Sequence, residues 1–214
     1  FTKYCYKGSV VSLYLQFLEV YGKTYYIDMA PVAEQISRGV FDVYDIAAML
    51  VIYYRTLQRK PDEEFGQIFI DEAQDFGAIV YYALRTVLPD CFFTIMGDVS
   101  QNVNYECGMN EWHDMRQKIF GGSTDSFRVL AKSYRNTIEI SDFAGKILSS
   151  ASKGAYKIEP VIRHGEPVHF VESISMEEAA GLSVEILADM RQKGYETMAV
   201  ICFSDEDRES VTKR

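Results

Sequence analysis

Apolar side chains recur every three or four positions in residues 10–18 and again in residues 46–57. This period places them on one face of a helix, where they can pack against a neighbouring element. A polar stretch around Pro31 separates the two segments. The pattern therefore predicts that the first sixty residues are helical.

The period changes from residue 65 onward, where short apolar runs replace the helical spacing. Strands are predicted at residues 67–70, 91–96 and 127–130, with a helix at 78–87. Apolar strands that alternate with helices are typical of a parallel sheet covered on both faces. The predicted fold class is therefore α/β.

The last third of the chain continues this alternation. A helix is predicted to begin at Asn136, since asparagine is a common N-cap residue. Two further strands are predicted at residues 167–172 and 197–203. The helix between them begins with the capping box Ser175–Glu178 and ends near Gly194. One strand–helix–strand unit is too small for a complete domain, so we expect it to be the start of a second lobe.

The composition restricts the class of protein. Hydrophobic residues make up 48% of the chain, which is enough for a sizeable core. The net charge of −9 argues against a self-contained nucleic-acid-binding domain, but not against a motor that binds DNA along a local groove. The cysteines lie far apart without a Cys-x-x-Cys pair, which disfavours zinc sites and disulfide frameworks.

The sequence also bears on location. The N-terminus lacks the basic flank and cleavage site of a signal peptide, and the longest apolar run, residues 46–54, is too short to span a bilayer. These features favour a cytoplasmic protein with no membrane partner. The chain begins at Phe1 rather than at a methionine, so we expect it to be a piece of a longer protein.

Two carboxylates follow the first predicted strand, because Asp71 and Glu72 come directly after the apolar residues 67–70. Ligands bind at the carboxyl edge of a parallel sheet. Nucleotide hydrolysis needs one carboxylate to hold Mg²⁺ and another group to activate water. The alternative is a solvated acidic turn after a core strand.

A second set of polar residues follows the next strand, where Gly97 and Asp98 precede Gln101. A neutral amide can accept a hydrogen bond from water and donate one to a phosphate oxygen. Gln101 therefore suits the sensing of a γ-phosphate. The alternative is an ordinary strand-to-loop turn, since Gly-Asp is a frequent turn dipeptide.

Three strings occur in a fixed order along the chain. They are Asp-Glu-Ala-Gln-Asp at residues 71–75, Gly-Asp-x-x-Gln at 97–101 and Ser-Tyr-Arg-Asn at 133–136. These strings resemble motifs II, III and IV of the UvrD/Rep-like superfamily 1 DNA helicases. Their order supports the resemblance more strongly than any one string alone.

The resemblance implies a role for each matching residue. Asp71 would hold Mg²⁺, and Glu72 would be the catalytic base. Gln101 and Arg135 would contact the γ-phosphate and take part in catalysis, Arg135 by stabilising charge in the transition state. Gln74 would join the nucleotide site to neighbouring motifs. For Arg135 the alternative is an exposed arginine at a helix start, where the helix dipole disfavours a cation.

The resemblance also implies an architecture and an activity. Residues 1–60 would be the tail of a helical insertion, residues 61–152 the second half of a first RecA-like (P-loop NTPase) motor lobe, and residues 153–214 the beginning of a second RecA-like lobe. The full protein would be a DNA-repair type of helicase or translocase. It would use ATP and Mg²⁺ to move on single-stranded or partly duplex DNA.

The segment after Gln101 departs from the family pattern. Many relatives carry an aromatic residue there that stacks on a DNA base, followed by Arg-Gly. In this chain the aromatic is displaced to Tyr105, and Cys107 stands in place of the arginine. Tyr105 and Trp112 are the candidates for base stacking, with a core position as the alternative for Trp112.

This departure resembles the HelD-like branch, some of whose members act on RNA polymerase. It leaves two alternatives open. One is a helicase-like ATPase that acts on a protein complex such as RNA polymerase. The other is the motor part of a helicase–nuclease.

The string Gly22-Lys23-Thr24 has the ending of a phosphate-binding loop but not its beginning. Such a loop needs glycine at position 17, which is Phe17, and it follows a strand rather than an amphipathic helix. We therefore expect the phosphate-binding loop to lie upstream of Phe1. Without it, the 214-residue chain alone is expected not to hydrolyse ATP.

Overall fold

The computed structural model describes most of the chain, namely residues 8–57, 65–104, 106–121, 125–151, 159–160, 162–172 and 175–212. The chain divides into two compact units. The first comprises residues 1–133 and 145–159, and the second comprises residues 134–144 and 160–214. The acidic turn after residue 70 therefore belongs to the first unit, and Arg135 belongs to the second.

The first unit begins with three helices, α1 (Val10–Tyr25), α2 (Ala30–Ser37) and α3 (Val43–Leu57). The predicted helical character of this part of the chain is thus confirmed. Helix α1 begins after Ser9, whose Oγ accepts a hydrogen bond from the backbone N–H of Ser12. Pro31 lies in the first turn of α2, where its missing N–H leaves no helical hydrogen bond unmade.

The helices α1, α2 and α3 share one hydrophobic core. Tyr14 and Leu18 of α1 and Ile36 of α2 are buried there, and partly buried residues of α3 pack against them. The hydroxyl of Tyr14 donates a 2.8 Å hydrogen bond to Asp45 Oδ1, so the buried phenol has a polar partner. The apolar period predicts the packed faces only in part. Tyr14, Leu18 and Met49 lie in or against this core, whereas Phe17 and Ile46 are 51% and 47% exposed.

A two-stranded parallel sheet follows the helices. Strand β1 (Gln67–Ile70) pairs with β2 (Phe92–Ile95), with Ile70 opposite Ile95. Helix α4 (Ala78–Val87) connects the strands, as a parallel pair requires. These two strands and this helix confirm the mixed α/β prediction for residues 65–96.

A second core lies under the turn that follows β1. It is formed by Ala73, Tyr81, Met109 and Met115, all of them buried. Met109 and Met115 come from the chain after β2, where a short helix, α5 (Trp112–Asp114), continues as a π-helical turn (Met115–Ile119). The turn that carries the candidate acidic residues therefore packs against this core.

The predicted strand at residues 127–130 is wrong. These residues have no regular structure, and the nearby strand β3 (Lys132–Ser133) pairs instead with β4 (Glu159–Pro160). Leu130 is 95% exposed. An apolar run becomes a buried strand only where neighbouring elements cover it, and Leu130 has no such cover.

The second unit contains the start of helix α6 (Ile138–Ala151), together with α7 (Met176–Gln192) and α8 (Asp205–Thr212). Helix α6 confirms the predicted helix, but its cap differs from the prediction. Thr137 rather than Asn136 caps it, since Thr137 Oγ1 accepts from the backbone N–H of Ile140. The hydroxyl of residue 137 stands at the N-cap position, one residue later than expected.

Helix α7 has the predicted start and end. Ser175 and Glu178 form the reciprocal capping box, and Gly194 follows the helix with a positive φ of 89°. Glycine adopts this left-handed conformation without the steric penalty of a Cβ atom. The backbone N–H of Tyr195 then donates to the carbonyl of Met190 over 3.1 Å, which closes the helix end.

The strands predicted on either side of α7 are wrong. Residues 167–172 and 197–203 have no regular structure in the described part of the chain. Ile201 is 93% exposed and Phe170 is 69% exposed, so these apolar runs are not covered by other elements. Of the predicted strand–helix–strand unit, only the helix is therefore present, and the assignment of residues 153–214 to a second RecA-like lobe stays a prediction.

The helices can also be compared with the thickness of a bilayer. Within the described ranges, each helix is too short or too polar to cross a membrane.

Candidate nucleotide-hydrolysis site

The acidic residues lie where two parallel strands end. Asp71 and Glu72 follow β1 directly, and the backbone N–H of Ala73 donates to the carbonyl of Met96 over 2.9 Å. The N–H of Met96 in turn donates to the carbonyl of Ile70 over 2.8 Å. These bonds extend the pairing past both strands, so the two polar segments meet at one edge of the sheet.

Glu72 has an unusual backbone conformation. Its φ of 48° and ψ of 41° lie in the left-handed region, which non-glycine residues adopt at a cost of about 1–2 kcal/mol. Asp71 Oδ1 accepts a 2.9 Å hydrogen bond from the Glu72 N–H and so supports this turn. Backbone strain of this kind is concentrated at functional sites, which makes Glu72 a residue to test for function.

Gln74 links this turn to the segment after β2. Its side chain is almost completely buried, with 3% of the residue exposed. Its Nε2 donates to Glu72 Oε2 over 2.8 Å, and its Oε1 accepts from the backbone N–H of Asp98 over 2.9 Å. A buried amide with a partner at both ends has a fixed orientation, so Gln74 also fixes the side chain of Glu72.

Gly97 permits the close approach of the two segments. A Cβ atom at this position would lie 2.5 Å from Gln74 Oε1 and 2.8 Å from the backbone nitrogen of Ala73. Both distances are shorter than atoms of this kind tolerate. The absence of a side chain at residue 97 is therefore a requirement of the contact between the strand ends.

Asp98 organises the residues that lead to Gln101. Its Oδ1 accepts from the Ser100 N–H over 2.9 Å and caps a single 3₁₀ turn, Val99–Gln101. Its Oδ2 accepts from Gln101 Nε2 over 2.8 Å. Glu72, Gln74, Asp98 and Gln101 therefore form one continuous chain of hydrogen bonds.

The free oxygens of the two carboxylates determine what the turn can bind. Asp71 and Glu72 are both exposed. Among the described residues, no hydrogen bond reaches Asp71 Oδ2 or Glu72 Oε1. Mg²⁺ is commonly held by one or two carboxylates together with waters, so Asp71 fits this ion although the described residues contain no group of three or more possible ligands.

Tyr81 supports the turn from the core. It is fully buried, and its hydroxyl donates to the carbonyl of Ala73. Burial, with a smaller effect from the charge of Asp75, raises the pKa of Tyr81 to about 12. The phenol therefore stays protonated and remains a donor throughout the physiological range.

Arg135 lies in the second unit, three residues before α6 begins, and its side chain is exposed. The start of α6 is held to residues 163–165. Glu139 accepts hydrogen bonds of 2.9 Å from the His164 ring and of 2.9 Å from the Gly165 N–H. The hydrogen bond with His164, together with backbone donors, lowers the pKa of Glu139 to about 2.

Two further residues, Tyr105 and Trp112, were predicted to stack on DNA bases. Tyr105 lies outside the described residues. Trp112 is half-buried and packs against the core cluster that contains Ala73. This is the core position named above as the alternative to base stacking. The structure thus brings Asp71, Glu72, Gln74 and Gln101 together within the first unit.

The string Gly22-Lys23-Thr24 lies inside helix α1. Its backbone N–H groups are therefore engaged in the helix, and Lys23 forms an exposed ion pair with Glu19 at 2.6 Å. A Cβ atom on Gly22 would lie 2.7 Å from the carbonyl oxygen of Ile27, so this glycine serves packing. The amphipathic helix predicted for this segment is confirmed, and the string lies inside it.

The contribution of the segment after Gln101 was not predicted from the sequence. The backbone N–H of Met109 donates to the carbonyl of Gln74 over 2.8 Å, and Asn102 holds this segment in place by several hydrogen bonds. The asparagines and glycine of residues 102–110 are residue types common in turns. The contact of this segment with Gln74 joins residues far apart in sequence, which no local pattern indicates.

Comparison with known proteins adds no assignment, since no protein-family model matches the chain and no curated protein matches it.

Proposed function

We propose that this chain belongs to the motor of an ATP-dependent helicase or translocase that moves on single-stranded DNA, and that its first unit carries the residues that activate water for ATP hydrolysis. The observation that carries the proposal is the hydrogen-bonded chain from Glu72 through Gln74 and Asp98 to Gln101. An acidic turn of purely structural origin has no need of a buried amide that orients its carboxylate.

Each residue has a task in this proposal. Mg²⁺ held by Asp71 would neutralise charge on the phosphate oxygens. The unoccupied Oε1 of Glu72 would accept a proton from the attacking water, while Gln74 holds the other oxygen. Gln101 would respond to the γ-phosphate, and Arg135 would stabilise the charge that develops during transfer.

The coupling to DNA rests on the resemblance to UvrD/Rep-like helicases. The three strings around Asp71, Gln101 and Arg135 occur in the order found in that family. A hydrogen-bonded link between the base and the γ-phosphate sensor also suits a motor, because nucleotide state must be transmitted to moving parts. A RecA-like fold for the complete motor lobe forms part of this proposal.

ATP hydrolysis by the full-length protein, with and without single-stranded DNA, tests the proposal. We expect Mg²⁺-dependent hydrolysis that DNA stimulates. Asp71→Asn should lower kcat by about 10²-fold or more, because a neutral amide holds Mg²⁺ poorly. Asp90→Asn, at an exposed turn after α4, is the matched control and should leave the rate unchanged. Equal rates for wild type and Asp71→Asn refute the assignment.

A second candidate is a helicase-like ATPase that acts on a protein complex such as RNA polymerase. The packing of Trp112 against the core favours it, because this ring has less surface available for base stacking. The net charge of −9 favours it as well. ATP hydrolysis that RNA polymerase stimulates and single-stranded DNA does not would select this candidate over the first.

A further inference from the structure

Asn102 lies directly after the proposed γ-phosphate sensor, and it was not among the candidate residues predicted from the sequence. We propose that Asn102 is a positioning residue for ATP hydrolysis, which acts through Gln74 on the carboxylate of Glu72. The inference rests on the proposed function and extends it to the segment in which this chain departs from the helicase pattern.

Asn102 is the centre of a small hydrogen-bonded loop. Its Nδ2 donates to Asn110 Oδ1 over 2.8 Å and to the carbonyl of Met109 over 3.3 Å. Its Oδ1 accepts from the backbone N–H of Asn104 over 2.8 Å. One side chain thus joins both ends of the Asn102 loop, which we define as residues 102–104 and 106–110.

The Asn102 loop is attached to the backbone of Gln74. The N–H of Met109 donates to the Gln74 carbonyl over 2.8 Å. Gly108 packs between the two, since a Cβ atom there would lie 2.5 Å from the Gln74 carbonyl oxygen and 2.5 Å from Asn102 Oδ1. Asn102 and Gln74 therefore enclose Gly108 with no space for a side chain.

The Asn102 loop also contacts the helical part of the first unit. The hydroxyl of Tyr44 in α3 donates to the carbonyl of Cys107 over 3.3 Å. A Cβ atom on Gly77 would lie 2.3 Å from the same carbonyl oxygen, so the loop contacts the backbone closely there as well. The loop is thus bonded both to α3 and to the backbone of Gln74.

This arrangement fixes Gln74 from its backbone side. The amide of Gln74 must reach Glu72 Oε2 and the Asp98 N–H at the same time, at 2.8 and 2.9 Å. Hydrogen bonds weaken steeply when donor and acceptor move apart, so a small displacement of the Gln74 backbone breaks one of the two. A misplacement of about 1 Å at a reacting group can lower a rate by about 10²-fold.

A double-mutant cycle in the full-length protein separates positioning from simple stabilisation. We expect Asn102→Ala to lower kcat for ATP about tenfold while KM stays within about twofold, because ground-state binding is not altered. In the Gln74→Ala background the same substitution should have no further effect on kcat. If the two effects on kcat multiply, Asn102 does not act through Gln74 and the proposal is overturned.

Asn104→Ala is the matched control. It removes a side chain of the same size from the same loop, and that side chain makes no hydrogen bond with the described residues. The backbone bonds of Asn104 remain possible in the variant. We therefore expect a wild-type kcat from Asn104→Ala, and a loss equal to that of Asn102→Ala would also overturn the proposal.

Hydrogen exchange at the Met109 amide provides a readout that does not depend on hydrolysis. Asn102→Ala should accelerate this exchange about tenfold or more, because the bond to Gln74 is no longer held, and Asn104→Ala should not. An unchanged rate in Asn102→Ala overturns the attachment of the loop. If the wild-type protein does not hydrolyse ATP, the proposed function fails, and the exchange at Met109 alone decides whether Asn102 fixes Gln74.

Discussion

Glu72 is one of two described non-glycine residues with a positive φ, and it is also the proposed catalytic base. Glutamate does not favour this left-handed conformation by itself, so contacts with neighbouring residues determine the shape of the turn. The surroundings are specific: Asp71 accepts from its N–H, and Gln74 donates to its carboxylate. At the scale of single residues, the site is therefore defined by the fixed geometry of one carboxylate.

Glu139 gives a prediction of pH dependence in the second unit. Its pKa falls from the usual 4.5 to about 2, chiefly through the hydrogen bond with His164. A lowered carboxyl pKa contributes stability that is complete above about pH 4.5 and is lost as the pH falls toward 2. The difference in unfolding free energy between wild type and Glu139→Gln should therefore shrink as the pH falls from about 4.5 toward 2.

Chemical denaturation of both proteins across this pH range measures that difference. Glu185→Gln is the control, since Glu185 is exposed on α7 and its side chain makes no hydrogen bond with the described residues. A difference for Glu139→Gln that grows as the pH falls has the wrong sign for this carboxylate. It would show that the contact between Glu139 and residues 163–165 does not stabilise the folded unit.

At the scale of elements, Gly97 determines how closely the segments after β1 and β2 approach. Gly97→Ala places a methyl group against Gln74 and the Ala73 backbone, so the two segments must separate. We expect the free energy of unfolding to fall by about 1–3 kcal/mol, as in other overpacked sites. Urea denaturation of Gly97→Ala measures this loss.

Gly66→Ala is the control for that substitution. Gly66 directly precedes β1, and a Cβ atom there would meet no atom within 4 Å. Its stability should lie close to that of the wild type, with a small gain from the reduced entropy of the unfolded chain. Equal effects at residues 66 and 97 would mean that backbone flexibility, rather than close packing, explains the result.

The elements that could be predicted from the sequence are those with local causes. Helix α7 has a capping box at Ser175 and a glycine at its end, and both signals lie within the segment itself. It was also predictable that the segment with Glu72 lies close to the segment with Gln101, because parallel strands end at one edge of a sheet. These features need no knowledge of distant contacts.

The wrong strand predictions have a common physical origin. All three segments are apolar runs, namely residues 127–130, 167–172 and 197–203. An apolar run indicates only that burial of its side chains is favourable. Whether a strand forms depends on a partner for its backbone and a cover for its faces. Leu130 and Ile201 lack such a cover, since both are more than 90% exposed.

At the scale of the whole molecule, the candidate residues are distributed over two compact units. Asp71, Glu72, Gln74 and Gln101 belong to the first, and Arg135 belongs to the second. The hydrogen bonds that unite the first four could not be predicted in detail, because the buried position of Gln74 and the Asn102 loop arise from tertiary packing. The candidate residues themselves could be selected from the sequence, because the three strings that contain them occur in a recognisable order along the chain.

The proposed role of Glu72 as the catalytic base is tested most directly by ATP hydrolysis in the full-length Glu72→Gln protein. Glutamine preserves the shape of the side chain but cannot accept the proton of the attacking water. We predict that kcat falls by about 10²–10⁴-fold while the affinity for ATP stays within about twofold. Glu106→Gln, at an exposed position, should retain wild-type activity. A Glu72→Gln protein that hydrolyses ATP at the wild-type rate would contradict the account.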